Sequence, residues 1–176
     1  GYTGELGYEI FIDAHKVVDL WKEILQYDFC KPAGLGARDI LRLEMGYPLY
    51  GDELTEDTTP LEAGFEKVID FEKEFTGREA LLKQKKEGIK KTLTGIECSD
   101  RRQPRHLNKI LKNEKETGFV SSGVFSPHLN KGIGMGYVET DSAKEGDEIK
   151  IASEKSRINA KIVKPPFIKE TSLRVI

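Results

Sequence analysis

The chain of 176 residues is long enough to bury a hydrophobic core, as one large domain or two small ones. Its hydrophobic content of 38%, charged content of 33% and formal net charge of -2 are typical of a soluble globular protein. They give no reason to expect nucleic acid or an anionic membrane as a partner. No apolar run approaches the ~20 residues of a membrane-spanning helix, and residues 2–13 are too polar for a secretory signal.

The cysteines and histidines form no pattern that is typical of metal binding. Cys30 and Cys98 lie far apart and lack CxxC spacing, which favours free thiols in a reducing compartment over a disulfide. The histidines, His15, His106 and His128, have no second ligand at a spacing that would define a metal site. The sequence therefore predicts no bound metal.

The first nine residues, GYTGELGYE, contain three glycines. Glycine at this density lets a ligand or another segment approach the backbone closely, although a surface turn is the alternative interpretation. Residues 7–13 alternate between two faces, which predicts a strand. Glu9 would lie in this strand beside Phe11, either on a solvated face or as a carboxylate that accepts hydrogen bonds from a ligand. Because Gly1 leads directly into this motif, we expect the chain to be a fragment.

Two amphipathic helices are predicted next. Asp13 is a suitable N-cap for a helix over 14–27, whose apolar stripe places Trp21 in the core. A helix-breaking segment, PAGLG at 32–36, precedes the second helix over 37–45.

Arg38 lies in the first turn of the second helix. A cation at this place opposes the positive end of the helix dipole. We therefore expect a carboxylate from Asp39 or Glu9, or an anionic ligand, beside Arg38. A side chain that points to solvent is the alternative.

The middle of the chain reads as loops and short elements. Residues 47–53 and 59–65 contain Pro and Gly at intervals, and these loop and strand segments are predicted to form a wall beside the second helix. A strand is predicted over 65–69, and a helix with a solvated lysine-rich face over 78–86. The charge-dense stretch 83–91 is the predicted linker.

From residue 92 onward, short segments with strand patterns are separated by turns. Six strands are predicted, at 92–98, 109–111, 117–125, 132–138, 148–152 and 159–163. This spacing predicts a small β-barrel or sandwich, so that the fold class is α+β. No P-loop, dinucleotide fingerprint or GxSxG motif is present.

Several motifs occur in the order known from one enzyme family. They are GYTGELGYEI at 1–10, PAGLGARD at 32–39, PLYG at 48–51, PLEAG at 60–64, IGMGYV at 133–138 and PPF at 165–167. On these residues the chain resembles, over essentially its whole length, the C-terminal half of the T-protein, the aminomethyltransferase of the glycine cleavage system.

The resemblance implies a truncated folate-binding α/β domain over 1–88 and a C-terminal antiparallel β-barrel over 89–176. Such enzymes take the aminomethyl group from the lipoyl arm of the H-protein, release ammonia and pass the methylene to tetrahydrofolate, their co-substrate. A cytoplasmic location is implied, or the mitochondrial matrix for a eukaryotic source. The family's catalytic aspartate would precede Gly1, so no catalytic residue is assigned in this chain.

The resemblance also implies folate-binding residues. Tyr2 and Glu9 correspond to positions that meet the pteridine end of the folate, Arg38 to the ligand-binding arginine, and Tyr47 is a weaker candidate for the cavity wall. A carboxylate suits this role because it can accept the paired N–H donors of an aminopyrimidine ring, and a neighbouring arginine would keep it ionised. The tail at 168–172, IKETS, departs from the family pattern, and its ligand contact is left unassigned.

Three alternatives stay open at this point. A related folate-binding family that assists iron–sulfur cluster assembly carries CYTGQE where this chain has EFTGRE at 74–79, and Glu74 in place of the thiol argues against that role. The folate domain of a dimethylglycine- or sarcosine-oxidising flavoenzyme would need a flavin domain before Gly1. The last alternative is a folded module without catalytic activity.

Overall fold

A closed antiparallel barrel of six strands forms the second half of the chain. The computed structural model describes residues 1–154 and 156–172. Residues 155 and 173–176 of the predicted second domain lie outside the described residues. The strands are β1 (Lys91–Cys98), β2 (Lys109–Lys112), β3 (Lys115–Ser126), β4 (Lys131–Glu139), β5 (Glu148–Ala152) and β6 (Arg157–Val163). Every predicted strand is present within two residues at either end, and the barrel replaces the sandwich alternative.

The strand order around the barrel is β1-β4-β3-β2-β5-β6, and β6 pairs back with β1 to close it. All neighbouring strands are antiparallel. The β3–β4 pair is especially close at Gly118, where an added Cβ would lie 1.9 Å from the carbonyl oxygen of Tyr137. Closure leaves no open sheet edge, which is the usual way in which a small β protein avoids edge-to-edge aggregation.

The barrel interior is filled by alternate side chains of its strands. Residues of β5 and β6 alternate between buried and accessible positions, as a one-sided strand pattern predicts. The fully buried aliphatic core includes Ile96, Ile110 and Ile162. Strand β4 differs, because residues 132–138 are buried on both faces of the strand.

The outer face of β4 is covered by the helical part of the chain. Leu43 packs with Ile133 and Met135 in a second apolar cluster, which Phe167 borders. Leu43 belongs to α2 (Leu35–Glu44), so this helix is fixed on the barrel.

The first half contains three α-helices: α1 (Val17–Ile24), α2, and α3 (Arg78–Glu87). A 3-10 turn, Ala14–Lys16, precedes α1, and α1 ends three residues before the predicted end. The Asp13 side chain makes no capping bond; its backbone oxygen accepts from the Lys16 amide at 2.9 Å. Helix α2 begins two residues earlier than predicted.

Three predictions in this half are wrong. Residues 7–13 form no strand, because within the described residues no neighbouring strand pairs with them. The strand predicted over 65–69 is instead a 3-10 turn, Glu66–Val68. Trp21 is not in the core of this chain, since 52% of it is exposed.

The predicted linker over 83–91 is also mostly wrong. Helix α3 extends through Glu87 and β1 begins at Lys91, so only three residues lie between them. The lysines of α3 are exposed, as predicted. The division of the chain after residue 88 stays a prediction.

Within the described part of the chain, no helix is both long and apolar enough to cross a membrane. The same residues contain no cluster of three or more side chains arranged to hold a metal ion. Cys30 and Cys98 are free thiols, and burial raises the pKa of the Cys98 thiol to about 12.

Candidate functional site

Three of the four residues predicted to bind a ligand lie together beside α2. The rings of Tyr2 and Tyr47 stack, with centroids 5.9 Å apart and an interplanar angle of 26°. The guanidinium carbon of Arg38 lies 5.0 Å from the centroid of the Tyr2 ring, which is a cation–π distance. We call these three residues the aromatic site.

Local backbone geometry places Tyr47 there. Gly46 has a φ of +69° and ends α2, its amide donates to the Leu43 oxygen at 2.8 Å, and the Tyr47 amide donates to the Arg42 oxygen at 2.8 Å. This is a Schellman helix end, which favours glycine because its left-handed conformation costs other residues energy. The chain therefore turns sharply, and Tyr47 returns along the side of the helix end.

Tyr2 is fixed by its hydroxyl group, which donates to the Pro48 oxygen at 2.6 Å. Partial burial raises the pKa of this hydroxyl, so that Tyr2 stays protonated and able to donate at neutral pH. The first residues and the segment that follows α2 are joined by this bond, although they are far apart in sequence.

Glu9 is the fourth predicted residue, and the structure does not bring it into this arrangement. Glu9 is exposed and lies in a segment without regular structure. Among the described residues, no ion pair joins Glu9 to Arg38. The expected pair of Arg38 with Asp39 is absent as well, since the Asp39 carboxylate accepts from Arg42 Nε at 2.7 Å. Arg38 instead lies over an aromatic ring, because its side chain reaches Tyr2. The ligand role of Glu9 stays a prediction.

A buried ion pair lies beneath the aromatic site, between Arg42 and Glu53. Arg42 Nη1 donates to Glu53 Oε2 at 2.8 Å, and both residues are buried, with 2% and 0% of their surface exposed. The same Nη1 donates to the Tyr47 oxygen at 3.2 Å. Arg42 thus contacts the backbone of one member of the aromatic site directly.

The barrel completes this network with two serines of β3. Ser121 Oγ donates to Glu53 Oε1 at 2.6 Å, and Ser122 Oγ accepts from Arg42 Nη2 at 2.8 Å. Tyr137 of β4 donates to the backbone oxygen of Glu53 at 2.9 Å. Ion pairs of this kind are tolerated in an interior only when further hydrogen bonds satisfy both charges, as they do here.

The environment of the network shifts the pKa values of Arg42 and Tyr137. Burial opposes the charge of Arg42, but attraction to Glu53 and the bond to Asp39 outweigh it, and the pKa of the guanidinium is raised. Burial raises the pKa of the Tyr137 hydroxyl to about 12. The network therefore holds a permanent cation and a permanent hydroxyl donor at neutral pH.

Arg42 and Glu53 were not predicted from the sequence. One signal pointed to Arg42, because it lies four residues after Arg38 and so on the same face of α2. Nothing in the motif PLYGDE identifies Glu53 as buried, since acidic residues are rarely buried and their partners are distant in sequence.

The C-terminal segment folds back onto the same region. The amides of Phe167 and Ile168 donate to the Glu44 oxygen at the end of α2, at 2.8 and 3.3 Å. The Ser172 amide donates to the Glu5 carboxylate at 2.8 Å, and the Leu6 amide donates to Ser172 Oγ at 2.8 Å. The hydroxyl and amide bonds from Ser172 lower the pKa of Glu5, which keeps this contact ionised.

Large clefts lie elsewhere on the protein. One of about 830 Å³ is lined by residues of α3 and the end of β4, and one of about 660 Å³ lies on the barrel. No residue of the aromatic site lines either cleft. The candidate site is therefore defined by its side-chain chemistry.

These features define a class of protein: an α+β protein in which a C-terminal barrel supports a helix that carries an aromatic and cationic site. The chain belongs to the glycine cleavage T-protein family. The family model described as the GCVT N-terminal domain matches residues 1–73, and that of the glycine cleavage T-protein C-terminal barrel domain matches residues 91–169.

Relatives from several bacteria carry the name aminomethyltransferase. The protein of Aquifex aeolicus is 44% identical over 169 residues, which are 96% of this chain and 47% of that relative. The protein of Halothermothrix orenii is 46% identical over 172 residues, which are 96% of this chain and 48% of that relative. The chain thus spans about half the length of the curated relatives it matches.

A solved structure agrees with the fold. The crystal structure of glycine cleavage system aminomethyltransferase T from Bartonella henselae superposes with a TM-score of 0.89 at 33% identity, covering 96% of this chain and 48% of that chain. The predicted family and the α+β fold with its C-terminal barrel are both confirmed.

Proposed function

We propose that this chain is part of a tetrahydrofolate-dependent aminomethyltransferase of the glycine cleavage system. The intact protein would transfer the methylene of an aminomethyl group, carried on the lipoyl arm of the H-protein, to tetrahydrofolate and release ammonia. The stacked pair Tyr2–Tyr47 with Arg38 over it is the observation that supports this most directly. The names of the relatives support the reaction class.

The chemistry of the aromatic site suits a folate. A flat pteridine ring can pack on an aromatic face, and a guanidinium can bind the negative charges of a folate tail. The buried Arg42–Glu53 pair keeps α2 in place, and with it Arg38, so that the ligand meets a rigid surface.

Glu9 adds orientation in this proposal. Its carboxylate would accept the two neighbouring N–H donors of the aminopyrimidine edge, a two-bond contact that fixes the ring direction. No residue of this chain is assigned as the catalytic group. The site therefore supplies binding and orientation, and the proton-transferring group belongs to a part of the protein outside this chain.

The lipoylated H-protein is the proposed partner. The proposed metabolic role is glycine breakdown, in which a one-carbon unit is passed to tetrahydrofolate. The relatives named above are bacterial, and we place the protein in the cytoplasm on that ground.

The proposal is tested by assaying the full-length protein with aminomethylated H-protein and tetrahydrofolate. We expect methylene-tetrahydrofolate and ammonia in equal amounts. Absence of both products with a folded protein would overturn the assigned reaction. We expect no turnover from the 176-residue chain by itself, and turnover by that chain would contradict the assignment of the catalytic group to another part of the protein.

The role of Glu9 is tested separately, by calorimetry of folate binding to the intact protein. Glu9→Ala should weaken binding by about 1–3 kcal/mol, because two ring donors lose their acceptor. Glu56→Ala, which removes an exposed carboxylate outside the aromatic site, is the matched control and should leave the affinity unchanged. Equal affinities of the two variants would show that Glu9 does not contact the ligand.

A further inference from the structure

Residues 47–49, which we call the post-helix segment, carry one ring of the aromatic site and anchor the other. Tyr47 is itself a member of the site, and the Pro48 oxygen accepts from the Tyr2 hydroxyl at 2.6 Å. The rings of Tyr2 and Tyr47 stack with their centroids 5.9 Å apart. The positions of both rings therefore depend on where the post-helix segment lies.

Glu53 holds the post-helix segment through two bonds to Leu49. The Glu53 carboxylate oxygen Oε2 accepts from the Leu49 amide at 2.9 Å, and the Glu53 amide donates to the Leu49 oxygen at 2.9 Å. Two bonds between the same two residues fix both the distance and the orientation of the backbone at Leu49. A movement of the segment away from Glu53 would break both bonds.

Glu53 is itself fixed by three other elements. Arg42 of α2 donates to Oε2 at 2.8 Å, Ser121 of β3 donates to Oε1 at 2.6 Å, and the Tyr137 hydroxyl of β4 donates to the Glu53 backbone oxygen at 2.9 Å. The residue is 0% exposed, so that water does not compete for these bonds. The barrel and α2 therefore determine where Glu53 lies, and Glu53 in turn holds Leu49.

Stability alone does not account for a charge at this place. Replacement of a buried ion pair by apolar side chains of similar size is often neutral or stabilising, because both charges lose their hydration when they are buried. An apolar side chain at position 53 could fill the same space, but it could not accept a bond from the Leu49 amide. The carboxylate adds direction, since donors from α2, the post-helix segment and β3 converge on its two oxygens.

We propose that Glu53 is a positioning residue for the aromatic site. By holding Leu49 it fixes the post-helix segment, and through Tyr47 and the Tyr2–Pro48 bond it sets where the two rings meet the ligand. Glu53 does not touch the ligand in this proposal and acts on its affinity, not on the chemical step. The inference rests on the folate-binding function proposed above.

The first experiment removes both buried charges together in the full-length protein. Arg42→Met/Glu53→Leu replaces the ion pair by apolar side chains, which preserves stability and deletes the bonds to the Tyr47 oxygen and the Leu49 amide. We expect the KM for tetrahydrofolate, and its Kd from calorimetry, to rise by about tenfold or more. The kcat should change by less than about threefold, because the lost interactions affect binding of the substrate and of the transition state alike.

A second variant tests whether the effect passes through the post-helix segment. Tyr2→Phe keeps the ring and removes the hydroxyl that bonds to the Pro48 oxygen, and should raise the KM by about threefold. Added to Arg42→Met/Glu53→Leu, it should raise the KM by a smaller factor, because the segment that anchors Tyr2 has then already lost its position. A general loss of stability would not produce this coupling.

Glu44→Leu is the matched control. Glu44 lies at the end of α2, is also buried, and its carboxylate accepts from a serine of β3, Ser126. Among the described residues its side chain makes no hydrogen bond to the post-helix segment. The control therefore weakens the contact of α2 with the barrel without releasing Leu49, and it should leave the KM unchanged.

The parent protein separates failure of this proposal from failure of the proposed function. A parent protein that does not bind tetrahydrofolate would overturn the proposed function, and the role of Glu53 with it. Binding by the parent with the same KM in Arg42→Met/Glu53→Leu would overturn the role of Glu53 alone. So would a KM in Glu44→Leu that rises as far, or independent factors for Tyr2→Phe and the double variant. Tyr2→Phe leaves the buried network intact, so an unchanged KM in this variant overturns the proposal even if the double variant does not fold.

Discussion

The barrel and the segment from residue 5 to residue 41 both carry apolar side chains at regular spacing, but only the barrel buries them. Strand β4 buries residues 132–138 on both faces, whereas the segment buries none. The barrel strands find their neighbours between residues 91 and 163 of the same chain, through antiparallel pairing. Among the residues that the structure describes, the segment has no neighbours of that kind. Periodicity thus identifies which face of an element is apolar, and burial depends on whether a partner is present.

Helix α2 joins the two regions. It packs on β4 through Leu43, and its buried Arg42 donates a hydrogen bond to Ser122 of β3. Arg38, one turn before Arg42 on the same helix, is exposed and lies beside Tyr2. The residues of the aromatic site therefore depend on the barrel for their position, although no strand of the barrel contributes to that site.

The largest effect on stability is expected where α2 contacts the barrel. Arg42→Met should reduce the free energy of unfolding by about 3–5 kcal/mol, because the Glu53 carboxylate is left buried without its counter-charge. Urea denaturation measures this change. Arg38→Met is the matched control, since Arg38 is exposed on the same helix, and should change stability by less than about 0.5 kcal/mol. Similar small losses in both variants would show that the ion pair does not hold the two regions together.

A second pair of variants compares the two regions directly. Ile162→Ala removes a fully buried side chain of the barrel and should cost about 2–5 kcal/mol, through lost burial and a cavity. Val18→Ala on α1 removes a side chain that is 55% exposed and should cost less than about 0.5 kcal/mol. Thermal or urea unfolding of this chain measures both. A large loss for Val18→Ala would mean that α1 is already packed against other residues of this chain.

Glycine substitutions make the same comparison for the backbone. Gly118→Ala places a Cβ 1.9 Å from the Tyr137 carbonyl oxygen, so that β3 and β4 must separate, at a cost of about 1–3 kcal/mol or more. At Gly7 an added Cβ meets nothing within 4 Å, and Gly7→Ala should be neutral within about 0.5 kcal/mol. Equal stability of the two variants would show that the β3–β4 pairing tolerates expansion.

The smallest effect concerns the charges on the barrel surface. Lys131 and Lys161 contact the Glu97 carboxylate at 2.7 and 3.3 Å; burial works against its charge, but these contacts outweigh it and lower its pKa. A lowered pKa means stability that is present above the unfolded value, about 4.3, and is lost as the pH falls through the folded value. Glu97→Gln should therefore cost about 1 kcal/mol at pH 7 and progressively less in acid.

Unfolding of the Glu97→Gln variant and of the parent chain at several pH values measures this difference. The exposed pair Asp13–Lys16, at 4.0 Å, is the counterpart in the other region, and Asp13→Asn should have no measurable effect at pH 7. A cost of Glu97→Gln that grows as the pH falls would contradict the assigned sign.

The sequence predicted the barrel strands well because each strand carries its own local signal. Alternation and turn residues placed all six within two residues of their observed ends. No local sequence pattern predicts the order of the strands or the pairing of β6 with β1, since both depend on contacts between residues that are distant in sequence. The choice between barrel and sandwich was likewise open until closure was seen.

In the candidate site, the residues that belong to motifs were predicted and those that support them were not. The motif resemblance named Tyr2, Arg38 and Tyr47, which do come together. It gave no indication of Arg42 and Glu53, because a buried charge is recognised only through a partner that lies elsewhere in the sequence.

The sequence by itself thus determined the family, the strands, the helices α2 and α3, and which faces of the elements are apolar. The tertiary structure decided which of those faces are covered. Trp21 and residues 7–13 carry the pattern of core elements and are exposed, because a face is buried only against a neighbour and none of the described residues covers theirs. Leu43 carries the same kind of pattern and is fully buried, because the barrel supplies its neighbour.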